Sequence, residues 1–73
     1  MVGDKIRYYR RKKGMTQAEL AKRLGTAHMI ISNYERGIYN PGFKRLTEIA
    51  DALDVTTDDL TFLLQVIARI IKF

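Results

Sequence analysis

Four clustered aspartates out of five, one histidine and four tyrosines are the side chains in this 73-residue chain that could carry chemistry of their own. Asp51, Asp54, Asp58 and Asp59 are the clustered carboxylates, and their positions suit solubility and helix capping. Beside them stands no cysteine nucleophile, no histidine pair and no phosphate-cradling glycine loop, so an enzyme is not expected. His28 is the single histidine, with no cysteine to help it hold a metal, so neither metal nor cofactor is expected. Tyr8, Tyr9, Tyr34 and Tyr39 could stack on unpaired bases. Spacing argues against that use, because Tyr9 and Tyr34 fall at core positions, Tyr8 on a surface and Tyr39 in a loop. What remains is charge. Thirteen Lys and Arg against eight Asp and Glu leave +5, with a pI near 9.8, a balance that favours a polyanionic partner.

The element best placed to present that charge runs from Met15 to Gly37, MTQAELAKRLGTAHMIISNYERG. Thr16 and Glu19 form the Thr-x-x-Glu capping box that opens a helix. Leu20, Ala21 and Leu24 then share one face at helical spacing. Gly25 is the residue best suited to end it in the left-handed conformation. A second helical pattern follows at once, with Ile31 and Tyr34 inward, and stops at Gly37. Helix, glycine turn, helix is the layout that lets a second helix enter the DNA major groove.

Around this unit the spacing predicts an all-α, five-helix bundle and no strands. The first helix spans about residues 3 to 13, with Ile6 and Tyr9 inward and Lys5, Arg7, Arg11 and Lys12 outward. The second spans about 17 to 24 and the third about 27 to 36. After a loop through Pro41, a fourth spans about 43 to 53 with Phe43, Leu46, Ile49, Ala50 and Leu53 on one face. Thr56 or Thr57 caps a fifth, whose first turn holds Asp58 and Asp59 where the helix dipole favours them. That fifth helix carries two apolar stripes, Leu60, Leu63, Leu64, Ile67 and Ile71, and Phe62, Val66, Ile70 and Phe73. A small domain buries only one stripe by itself. Residues 66–73 are therefore expected to form a two-fold dimer interface through Val66, Ile67, Ile70, Ile71 and Phe73, or else to wrap onto their own domain. The whole chain reads as one domain. No signal peptide is evident. No run reaches the roughly 18 apolar residues of a membrane span, and the missing cysteines fit a reducing cytoplasm.

Gly14-Met15-Thr16-Gln17-Ala18-Glu19-Leu20-Ala21, then Gly25, then Ile31-Ser32-Asn33-Tyr34-Glu35-Arg36-Gly37 and Asn40-Pro41 resemble the Cro/repressor-type (XRE-like) helix-turn-helix family. The resemblance covers about residues 3 to 62. It implies a repressor-like bundle with the helix-turn-helix at helices 2 and 3. By that resemblance Ala27, His28, Met29, Ile30 and Asn33 face the groove. Asn33 can pair with adenine, His28 can donate to a guanine acceptor, and Met29 and Ile30 can meet thymine methyls. Gln17 grips a backbone phosphate beside the open amides of its helix end, with Arg10, Arg36, Tyr39, Asn40 and Lys44 around the same rim. Arg10 also pairs with Glu35, bracing the third helix.

The chain departs from the family at its tip. Polar residues are usual where Met29 and Ile30 stand, and Ser or Thr is usual at Ala27, so Thr26 is expected to cap the third helix one residue early. The two apolar residues read as thymine-methyl contacts, as a protein-binding patch, or as a surface altered by selection or design. The first is favoured. The resemblance implies a sequence-specific double-stranded DNA-binding transcriptional regulator; with the apolar tail and the missing cysteines it reads as a cytoplasmic homodimer on an inverted repeat, with no membrane and no small-molecule effector evident. The alternative is a protein-interaction module that keeps the fold without binding an operator.

Overall fold

Thr16 starts the second helix as its spacing predicts: its hydroxyl accepts from the Glu19 amide at 3.1 Å, and the Glu19 carboxylate accepts from the Thr16 amide at 2.9 Å. Gly25 ends that helix at φ 70°, ψ 32°, a left-handed conformation that a side chain would strain. The computed structural model describes residues 2–61. Its helices are α1 Val2–Lys12, α2 Gln17–Leu24, α3 His28–Glu35, α4 Phe43–Leu53 and α5 Thr57–Leu60. No strand occurs among the described residues.

Ile6, Leu20, Ile31, Ile49 and Leu60 are fully buried, one from each helix, and Ala21, Ala50, Ala52 and Leu53 complete the core. Val2, Tyr9, Met15, Leu24, Tyr34, Leu46 and Val55 pack around it. α3 lies against both α1 and α2, while α4 supports α2 and α5 closes on α1 and α4. The recognition unit therefore rests on the core through Leu20 and Ile31. Asp54 ends α4 in the left-handed region at φ 57°. Its carboxylate pairs with Lys13, tying the end of α1 to the end of α4.

Four expectations need correction. Thr26 does not cap α3: the helix begins one residue later than expected, and the Thr26 amide closes α2 on the Ala21 carbonyl at 2.9 Å. Ala27 takes the cap position with extended backbone and no side-chain bond, and α3 begins at His28. Phe43 is not inward but 79% exposed. It is the first residue of α4, one turn outside the point where Leu46 reaches the core. Arg7, read as outward, turns toward α3 instead. Lastly, α5 is a single turn capped by Thr56, and Thr61 is already extended at φ −106°, ψ 124°, so the fifth helix does not run on unbroken. Val66, Ile67, Ile70, Ile71 and Phe73, the expected dimer residues, lie outside the described residues, as do Phe62, Leu63 and Leu64. No helix among the described residues is long and apolar enough to cross a membrane.

Candidate nucleic-acid interface

Gly3, Arg7 and Arg10 stand four and three residues apart on α1, which puts them on one face, and that face meets the end of α3. Glu35 is the point of meeting. Arg10 donates through Nε to Glu35 Oε2 at 2.6 Å and through Nη2 to Oε1 at 3.0 Å. Its third nitrogen, Nη1, donates to the Met15 carbonyl at 2.7 Å. Arg7 Nε adds a bond to Glu35 Oε1 at 3.3 Å, and its Nη2 reaches the Glu35 carbonyl at 3.4 Å. A cation at the end of a helix also satisfies the open carbonyls and the dipole there.

Burial pushes the Glu35 carboxyl up, but the bonds from Arg10, Gln17 and Arg7 together with the Arg10 charge outweigh it. The carboxyl is held below its ordinary value. Glu35 is thus an ionised, buried hub. Both it and Arg10 are buried, at 3% and 6% exposure. Among the described residues no buried side-chain nitrogen or oxygen lacks a partner.

The hub reaches toward the surface. Gln17, the first residue of α2, donates through Nε2 to Glu35 Oε1 at 3.0 Å. Its Oε1 lies 2.8 Å from His28 Nε2. A continuous path therefore joins α1, the end of α3, the start of α2 and the tip of α3. At that tip Ala27, His28 and Met29 are exposed, while Ile30 and Asn33 are half-buried. Asn33 Oδ1 accepts from Arg36 Nη2 at 2.8 Å. Arg36, Tyr39, Asn40 and Lys44 are all exposed along the α3–α4 loop and the start of α4.

Arg10 is the one rim candidate the structure removes. Buried, with each guanidinium nitrogen bonded inside the fold, it is not placed to meet a phosphate. Its place is the ion pair with Glu35. Arg7 and the Gln17–Glu35 bond were missed from the sequence. The signal was present for Arg7, since a residue three before a buried arginine shares its helical face. The Gln17–Glu35 bond spans eighteen residues and left no local trace. Among the described residues no cluster of three or more His, Asp or Glu is placed to hold a metal ion.

Residues 6–60 match the helix-turn-helix family model. The HTH-type transcriptional regulator SinR of Bacillus subtilis is 36% identical over 61 residues, covering 82% of this chain and 55% of SinR. The chain thus spans about half of SinR's length. An uncharacterized HTH-type transcriptional regulator of Methanocaldococcus jannaschii is 37% identical over 57 residues, covering 78% of this chain and 86% of its own. The crystal structure of SinR in complex with DNA superposes with a TM-score of 0.77 at 36% identity, covering 82% of this chain and 97% of that one. The SinR/SinI protein complex gives 0.78 at 35% identity, covering 85% and 61%.

Proposed function

This chain belongs to the helix-turn-helix family, of the XRE-like branch that its motifs resemble, and from that premise we propose that it is a sequence-specific double-stranded DNA-binding transcriptional regulator. The observation that carries the reading is the tip of α3. Ala27, His28 and Met29 stand exposed there, on a helix whose far end is locked to α1 by a buried ion pair. A helix held so can enter the major groove without reorganising.

Asn33 and His28 supply polar contacts to base edges, and Met29 and Ile30 offer apolar contact to thymine methyls. Gln17 keeps one amide hydrogen beyond its bond to Glu35 and offers it to a phosphate. Arg36, Tyr39, Asn40 and Lys44 complete the phosphate-binding rim. The apolar stripe in the sequence of residues 66–73 supports a homodimer, whose two α3 helices would sit roughly 34–36 Å apart on an inverted repeat. A regulator of this kind acts in the cytoplasm, with DNA as its partner.

Salt dependence provides the test. With about four to six phosphates neutralised per subunit, log affinity is expected to fall with log salt at roughly −3.6 to −5.4 per subunit. Lys44→Ala should weaken binding to all sequences alike and reduce that slope by about 1. A slope near zero contradicts the reading. It would favour a protein-interaction module instead, for which exposed Met29, Ile38, Tyr39 and Phe43 would be the contact surface.

A further inference from the structure

His28 is the one residue at the α3 tip whose hydrogen-bonding role depends on where a proton sits. Its ring has two nitrogens, and in the neutral form one donates while the other accepts. The path through Gln17 decides which. An ionised carboxylate such as Glu35 only accepts, so the Gln17 side chain must turn its NH2 toward Glu35, as it does at 3.0 Å. The amide oxygen is thereby turned to His28, 2.8 Å from Nε2. An amide oxygen also only accepts, so Nε2 must carry the hydrogen. Glu35 cannot swing away to release Gln17, because Arg10 holds it at 2.6 and 3.0 Å and Arg7 at 3.3 Å. Among the described residues no group bonds His28 Nδ1, and the residue is exposed at the start of α3.

Resting on the duplex-binding reading above, we infer that Glu35 and Gln17 fix the neutral His28 as the Nε2–H tautomer. Its Nδ1 then meets the major groove as an acceptor and selects an exocyclic amino group, adenine N6 or cytosine N4. This reverses the donor role toward guanine expected from the sequence. The guanine edge offers only acceptors, N7 and O6, which a lone pair repels. Glu35 and Gln17 act here as positioning residues for a specificity contact.

Nitrogen-15 NMR of the free 73-residue chain at about pH 8 reads the tautomer without DNA. The expected spectrum has the proton on Nε2, and a proton on Nδ1 overturns the inference. The second arm uses a duplex enriched from a random pool. The base pair read by His28 is the one whose preference disappears in His28→Ala, a substitution at an exposed position. Replacing adenine there by purine, or cytosine by 2-pyrimidinone, removes the amino group. The loss expected is about two- to tenfold for the intact chain, the worth of one hydrogen bond, and none for His28→Ala. Which of the two replacements weakens binding names the base.

A 7-deaza purine at the same pair removes the N7 acceptor and should change nothing. Sensitivity to 7-deaza substitution with indifference to the amino group overturns the inference while leaving duplex binding intact. If the folded chain enriches no duplex, the DNA-binding reading fails and takes the base assignment with it.

Discussion

Glu35→Ala is expected to cost the fold about 3–5 kcal/mol, the usual cost of breaking a buried pair from one side. The carboxylate accepts from Arg10, Arg7 and Gln17. Among the described residues, alanine leaves the buried Arg10 with the Met15 carbonyl as its remaining acceptor. Arg36, the next residue, is exposed and its side chain makes a solvent-exposed bond to Asn33, so Arg36→Ala should lie within about 0.5 kcal/mol of the parent. Urea midpoints decide it. A large drop for Glu35→Ala beside a small one for Arg36→Ala is expected, and equal midpoints contradict the hub.

The same carboxyl sets the acid limit of the fold. Its folded value lies below the ordinary 4.5, so in acid the unfolded chain takes up its proton first. The stability it contributes is complete above about pH 4.5 and is lost as pH falls through the lowered folded value. Glu19, lowered by its bonds to Thr16, and Asp54, lowered by Lys13, act in the same direction. The parent should therefore lose stability only below about pH 4.5, and Glu35→Ala should lose less over that window because part of its loss is already taken.

Gly3→Ala is expected to destabilise by about 1–3 kcal/mol, the range for forcing extra atoms into a packed contact. A Cβ on Gly3 would stand 2.3 Å from the Tyr34 carbonyl oxygen and 2.8 Å from that of Glu35. Both are backbone atoms, which cannot turn aside as a flexible side chain would. α1 would have to lift from the end of α3, stretching the Arg7 and Arg10 bonds to Glu35. Helix propensity alone argues the opposite sign, since alanine gains about 0.8–1 kcal/mol over glycine inside a helix. The direction of the midpoint shift therefore separates the two. A raised or unchanged midpoint contradicts the close approach of α1 to α3.

These two residues also mark where the sequence stopped being legible. α2 was readable to the residue because its signals are local: Thr16 and Glu19 are three apart, and Gly25 follows the last periodic leucine. The core was readable because the apolar residues within a helix recur at helical spacing, as Leu20, Ala21 and Leu24 do on α2 and Leu46, Ile49, Ala50 and Leu53 on α4. The face of α1 that carries Gly3, Arg7 and Arg10 was harder. The family resemblance gave the Arg10–Glu35 pair, but Gly3 and Arg7 look like a solvated face until their partner is known, and for Arg7 that partner lies 28 residues away.

Thr26 failed as a cap because α2 closes through its amide on the Ala21 carbonyl, so that Thr26 belongs to the end of α2 and the cap position of α3 falls on Ala27. Phe43 failed because helical spacing tells which face a residue occupies but not whether the core extends that far along the axis. The candidate interface divides in the same way. The family motif gave the positions on α3, whereas the bonds that orient Gln17 and His28 became visible only with α2 and α3 in place.

Selection of bound duplexes from a random pool at about physiological ionic strength, near 0.15 M, addresses DNA reading by α3 most directly. The expected outcome is an enriched inverted repeat, with thymines facing the Met29 and Ile30 tip. An unenriched pool from a chain shown to be folded would contradict it.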